Sequence, residues 1–117
     1  MSRYVVIESH DPFEVDLSAE FFDLALLLSR AGHDVAVLFV ADGIRAALAG
    51  RHTFWLAELR RAGVTVLADL SAVLAAGFVP AQLAAGVKVT PAGISLDELL
   101  QGRKPLWVAD VAVGRAA

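Results

Sequence analysis

The stretch Ala25–Gly43, ALLLSRAGHDVAVLFVADG, decides the fold. It reads as the end of a buried helix, a tight turn at Gly32-His33 and a strand, Val35 to Val40, closed by Asp42-Gly43. The strand shows no polar alternation, which predicts that both of its faces are covered, as in a parallel sheet. Gly32 supplies the left-handed conformation that commonly ends a helix.

Working outward, the residues before this stretch complete a strand–helix–strand unit. Tyr4 to Ser9 is β-branched and apolar and predicts strand one. His10 to Asp16 is a polar loop. Within it Asp11-Pro12-Phe13-Glu14 fits a capping box, with Asp16 and Ser18 as rival caps. From Leu17 to Ala31, Phe21, Leu24, Ala25 and Leu28 fall on one helical face, and Phe22, Leu26 and Leu27 widen it. That width predicts a helix buried on two sides.

Downstream the same alternation continues. A helical turn from Ile44 to Leu48 ends at Gly50, and a helix runs from about Thr53 to Ala62. Its Trp55, Leu56 and Leu59 point inward, and Arg60-Arg61 lie where the helix dipole favours cations. Val64 to Ala68 is strand three. A helix follows from Asp69 or Leu70 to Ala76, and Pro80 to Ala85 adds a further turn. Val87 to Val89 is a short strand four, and Ser95 to Gln101 a helix with Ser95 and Glu98 forming a capping box. Pro105 leads into strand five, Leu106 to Val111. Strands joined by helices predict one α/β domain over residues 1–117, a five-stranded, mainly parallel sheet with helices on both faces.

Composition narrows the function classes. The chain is 57% apolar and 20% charged, against roughly 45–50% apolar for ordinary soluble domains. A monomer of 117 residues has too much surface to hide that excess, so self-association or a permanent partner is expected. The longest unbroken apolar run, Val35 to Ala41, is far short of the roughly 20 residues that span a bilayer. With no signal-peptide pattern, the expected location is cytoplasmic. Net charge is −3 and the basic residues are scattered, which argues against nucleic-acid binding. There is no cysteine, hence no disulfide, thiolate ligand or thiol nucleophile. Dinucleotide, phosphate-loop and hydrolase-elbow motifs are absent too, so no cofactor is expected.

In parallel α/β sheets, ligands sit beyond the carboxyl ends of the strands. The polar residues expected there are Ser9, His10 and Asp11 after strand one, Asp42-Gly43 after strand two, Asp69 and Ser71 after strand three, and Thr90 after strand four. Each has a plainer role. Asp69 fits a helix N-cap as well as a ligand-binding carboxylate, and Asp42-Gly43 fits a turn and helix start. His10 and Asp11 fit a base and its orienter, metal ligands together with Asp69, or a solvated loop. No second histidine stands at a ligand spacing, so no metal site is assigned. His33 belongs to the turn, and Trp55 and Trp107 to the core or an interface.

Helix, Ala-Gly-His turn, Val-rich strand and Asp-Gly, preceded by strand one and an acidic, Pro-containing loop, together resemble the DsrE/DsrF sulfur-relay family. The matching pieces are Tyr4 to Ser9, Ala25 to Gly43, Ala68 to Gly77 and, more weakly, Leu106 to Val111. The resemblance implies a three-layer α/β/α fold and assembly into trimers or hexamers, sometimes with related but different subunits. It also implies a persulfide-carrying cysteine after strand three. Asp69, eight residues before Gly77, stands at that place, give or take a residue. A thiolate at a helix N-terminus is favoured by the dipole. A carboxylate fits the same anionic slot but cannot hold a persulfide. The expectation is a non-catalytic subunit that scaffolds or regulates sulfur transfer, beside a cysteine-bearing paralogue. Two alternatives stand beside it: a small-ligand-binding protein or cysteine-independent enzyme using Asp69, His10 and Asp11, and a homo-oligomer with a vestigial pocket.

Overall fold

The computed structural model describes residues 2–10, 18–50, 53–91 and 100–107. Its elements are β1 (Arg3–Glu8), α1 (Ser18–Arg30), β2 (Asp34–Phe39), a 3-10 helix (Ala41–Ala47), α2 (Thr53–Arg61), β3 (Thr65–Ala68), α3 (Leu70–Ala75), a 3-10 turn (Pro80–Gln82), β4 (Lys88–Val89) and β5 (Lys104–Trp107). The strands form one sheet in the order β4-β3-β2-β1-β5, and every pairing is parallel. The five-stranded parallel sheet expected from the sequence is therefore the one observed.

Alternation along the strands divides the core in two. Val6, Val35, Val37, Phe39, Val66 and Ala68 face Phe21, Phe22, Ala25 and Leu26 of α1, Leu56 and Leu59 of α2 and Val73 of α3. Val5, Ile7, Ala36 and Leu38 form a second cluster on the opposite face, packed with Val40, Leu67 and Leu100. Among the described residues, α1, α2, α3 and the first 3-10 helix all share one face. The helix expected at Ser95 to Gln101 lies almost wholly outside the described residues; Leu100, near its end, meets the other face.

Two expectations change. Leu27 is 66% exposed, so α1 is buried along one stripe rather than on two sides. Lying against a single sheet face, it buries Phe21, Phe22, Ala25 and Leu26, with Leu24 and Leu28 packed partly against the same core. Strand five begins at Lys104 and contains Pro105 rather than following it. An edge position makes this possible, because a proline's missing N–H is harmless where it faces no neighbour. Residues 108–111 of that expected strand lie outside the described residues. Trp55 is half-buried, stacked on Phe22 at 5.6 Å between ring centroids, and Trp107 is 36% exposed.

The end of the sheet at the strand starts is closed by polar ties. Arg103 donates to the carbonyls of Tyr4 (3.2 Å) and Asp34 (3.1 Å) and pairs with the Asp34 carboxylate at 3.1 Å, joining β5 to β1 and β2. His33 serves the turn, as expected. Its N–H reaches the Leu28 carbonyl, its Nδ1 accepts the Ser2 N–H at 3.1 Å, and its ring meets Tyr4 edge-on.

Candidate functional site at the strand ends

Register aligns the carboxyl ends. Glu8 pairs with Phe39, Phe39 with Ala68, and Ala68 with Val89. The next row outward holds Ser9, Val40, Asp69 and Thr90, and it is laced across the strands. The Val40 N–H donates to the Glu8 carbonyl (3.0 Å), Asp69 N–H to Phe39 (2.9 Å) and Thr90 N–H to Ala68 (2.9 Å). These bonds extend the ladder one residue past each strand and hold the candidate residues to a rigid base.

The first centre lies at the end of β1, and its principal residue is one the sequence reading passed over. Glu8 is 3% exposed, the one buried carboxylate among the described residues. Its Oε1 accepts the His10 N–H at 2.9 Å and lies 3.7 Å from His10 Nδ1. That nitrogen is enclosed yet finds no hydrogen-bond partner among the described residues. Burial pushes the Glu8 carboxyl above its ordinary range, opposed by the N–H groups and the imidazole beside it. A buried acid beside an unsatisfied imidazole nitrogen can hold and pass a proton. Glu8 escaped notice because a glutamate at the end of a strand reads as the polar turn outward, whereas it is buried as deeply as Val5 to Ile7.

Gly43 closes over this centre. It sits against the Glu8 backbone so tightly that a Cβ would collide with the Glu8 carbonyl oxygen. The Asp-Gly pair is thus a close-packing device: glycine lets the first 3-10 helix rest on the end of β1. Ala41, two residues before it, adopts φ 48° to make the entry into that helix. Asp42 stays exposed in the first turn.

The second centre lies at the start of α3. Asp69 occupies the N-cap position, with extended backbone (φ −69°, ψ 117°), but its side chain makes no capping bond. The Leu70 N–H is instead taken by the hydroxyl of buried Thr90, at 3.2 Å. The half-buried Asp69 carboxylate is left uncommitted by the helix it precedes. Ser71, in the first turn of α3, is exposed. Asp11 lies outside the described residues. The structure therefore puts Glu8 in contact with both His10 and Gly43 and links Thr90 to the start of α3. Among the described residues no three His, Asp or Glu side chains are grouped as metal ligands.

A parallel α/β domain with a polar strand-end site and no thiol defines a class before it defines a protein. The DsrE/DsrF-like family model matches residues 2–104, and the chain belongs to that family. Its fold is similar to the ychN protein from E. coli, at 21% identity and TM-score 0.77 over 92% of this chain and 99% of that one. It is also similar to MTH1491 from Methanobacterium thermoautotrophicum, a protein of unknown function, at 18% identity and TM-score 0.78 over 92% and 99%. A third similar structure is BT1422 from Bacteroides thetaiotaomicron, also of unknown function, at 20% identity and TM-score 0.67 over 90% and 94%. No match was found among curated proteins. Among the described residues, no helix is long and apolar enough to cross a membrane.

Proposed function

We propose that this chain is a non-catalytic DsrE-like subunit that scaffolds or regulates sulfur transfer within an oligomer. The observation that carries the reading is Asp69. It stands at the start of α3, where the family resemblance implies the sulfur-accepting cysteine, and the chain has no cysteine elsewhere. Nor does Asp69 contribute a cap that would explain its place structurally. A carboxylate there keeps the negative charge of a thiolate without its sulfur chemistry.

Apolar surface supports assembly. Leu27 of α1 and Phe54 of α2 are 66% and 67% exposed, and Leu74 and Val79 are more than half exposed. Side chains of this size left in water favour burial against another subunit. The partners that fit are further copies of the chain, as a trimer or hexamer, and a cysteine-bearing paralogue.

A second reading rests on a separate observation, the Glu8–His10 pair. A buried carboxyl with raised proton affinity, beside a ring nitrogen that has no hydrogen-bond partner among the described residues, supports a small-ligand site, or a cysteine-independent acid–base site, at the same strand ends. Native mass spectrometry of the protein isolated from its own host separates the two. A stoichiometric complex with a cysteine-bearing paralogue is expected on the first reading. A homo-oligomer carrying a small molecule, with no such paralogue, favours the second.

A further inference from the structure

The sheet face turned away from α1, α2 and α3 carries a cavity of about 420 Å³. Val5, Ala36, Leu67 and Pro91 give it an apolar floor and wall. Thr65, Lys88, Thr90, Gln101 and Arg103 add polar groups around it. A second hollow, of about 300 Å³, adjoins it through Thr65 and Lys88 and brings in Arg60. A volume in the range of roughly 300–1,000 Å³ is what small-molecule sites share, and here apolar and polar groups line it in about equal measure.

The charges of the lining are one-sided. Lys88, Arg103 and Arg60 contribute cations, and no carboxylate lines either hollow among the described residues, although the chain as a whole carries a net charge of −3. Arg103 is already committed to Asp34 and to two backbone carbonyls, and Arg60 donates to the Ala85 carbonyl. Lys88 forms no ion pair with any described residue. It stands at the junction of the two hollows, beside the apolar floor. We propose that this cavity binds a small organic anion: an apolar, ring-sized body over Val5, Ala36 and Leu67, with its acid group at Lys88. The site is distinct from the Glu8–His10 centre, which lies at the end of β1 on the helix-bearing face, in line with Val6 by strand alternation.

The test uses the full chain and 8-anilino-1-naphthalenesulfonate, an apolar two-ring anion, followed by fluorescence titration. Saturable binding is expected, with amide shifts concentrated at Thr65, Leu67 and Val89. Lys88→Glu should weaken it about tenfold or more, the order expected when a charge-assisted contact becomes repulsive. Lys88→Arg should retain it. Phe54→Ser removes an exposed apolar side chain on the other side of the sheet and should leave it unchanged. The uncharged analogue N-phenyl-1-naphthylamine should bind more weakly than the sulfonate. No saturable binding, equal affinity for the two probes, indifference to Lys88→Glu, or loss of binding in Phe54→Ser would each overturn the proposal.

Discussion

Gly43 and Glu8 show how a single missing Cβ shapes the strand-end site. Because a methyl group at residue 43 would meet the Glu8 carbonyl, Gly43→Ala must push the first 3-10 helix off β1. Overpacking of this kind costs about 1–3 kcal/mol, which urea denaturation would register as a lower midpoint. Glu8 gives a prediction in pH. Its folded-state proton affinity is raised, so the folded protein holds the Glu8 proton at pH values where the unfolded chain has released it. The stability Glu8 contributes is complete below its ordinary value of 4.5 and is lost as pH rises through the higher folded value. Glu8→Gln keeps an oxygen for the His10 N–H and cannot ionise. It should flatten the pH dependence above 4.5 and leave the protein at least as stable at neutral pH. An unchanged pH profile would show that Glu8 ionises freely in the folded protein. Glu8 was illegible in the sequence for a physical reason: its burial depends on the chain folding back over β1, not on its neighbours in sequence.

Among the elements, α3 separates position from role. The sequence reading placed Asp69 at the N-cap, and the backbone puts it there, yet the hydroxyl that satisfies the Leu70 N–H comes from Thr90, twenty residues on. Local cap rules see only the nearest Asp, whereas β4 brings a rival across the sheet. Thr90→Val should therefore cost about 1 kcal/mol of stability, as the loss of a cap does. Asp69→Ala should cost distinctly less. Thermal unfolding of the two variants measures the difference, and the reverse order would return the capping role to Asp69. Other elements were readable because their signals are local: the apolar run of β2, the Gly32 stop of α1, and the Arg60-Arg61 end of α2. The start of β5 was not, since Pro105 signals an interruption unless the strand is known to lie at an edge.

For the whole molecule, the parallel sheet follows from alternating strand and helix patterns. Strand order and the crowding of α1, α2 and α3 onto one face depend on contacts that no single segment encodes. The apolar excess of the composition reappears in the structure as Leu27, Phe54, Leu74 and Val79 at the surface. Light scattering should therefore find a trimer or larger species at micromolar concentration, and a clean monomer would contradict the burial argument. The central claim is that this family scaffold carries a carboxylate where the relay needs a thiol. Intact-mass analysis after incubation with a persulfide donor tests it most directly, on the native chain beside Asp69→Cys. The native chain should gain no sulfur, and Asp69→Cys should gain the mass of one sulfur atom. A stable sulfur adduct on the native chain, or an Asp69→Cys variant that folds and stays unloaded, would contradict it.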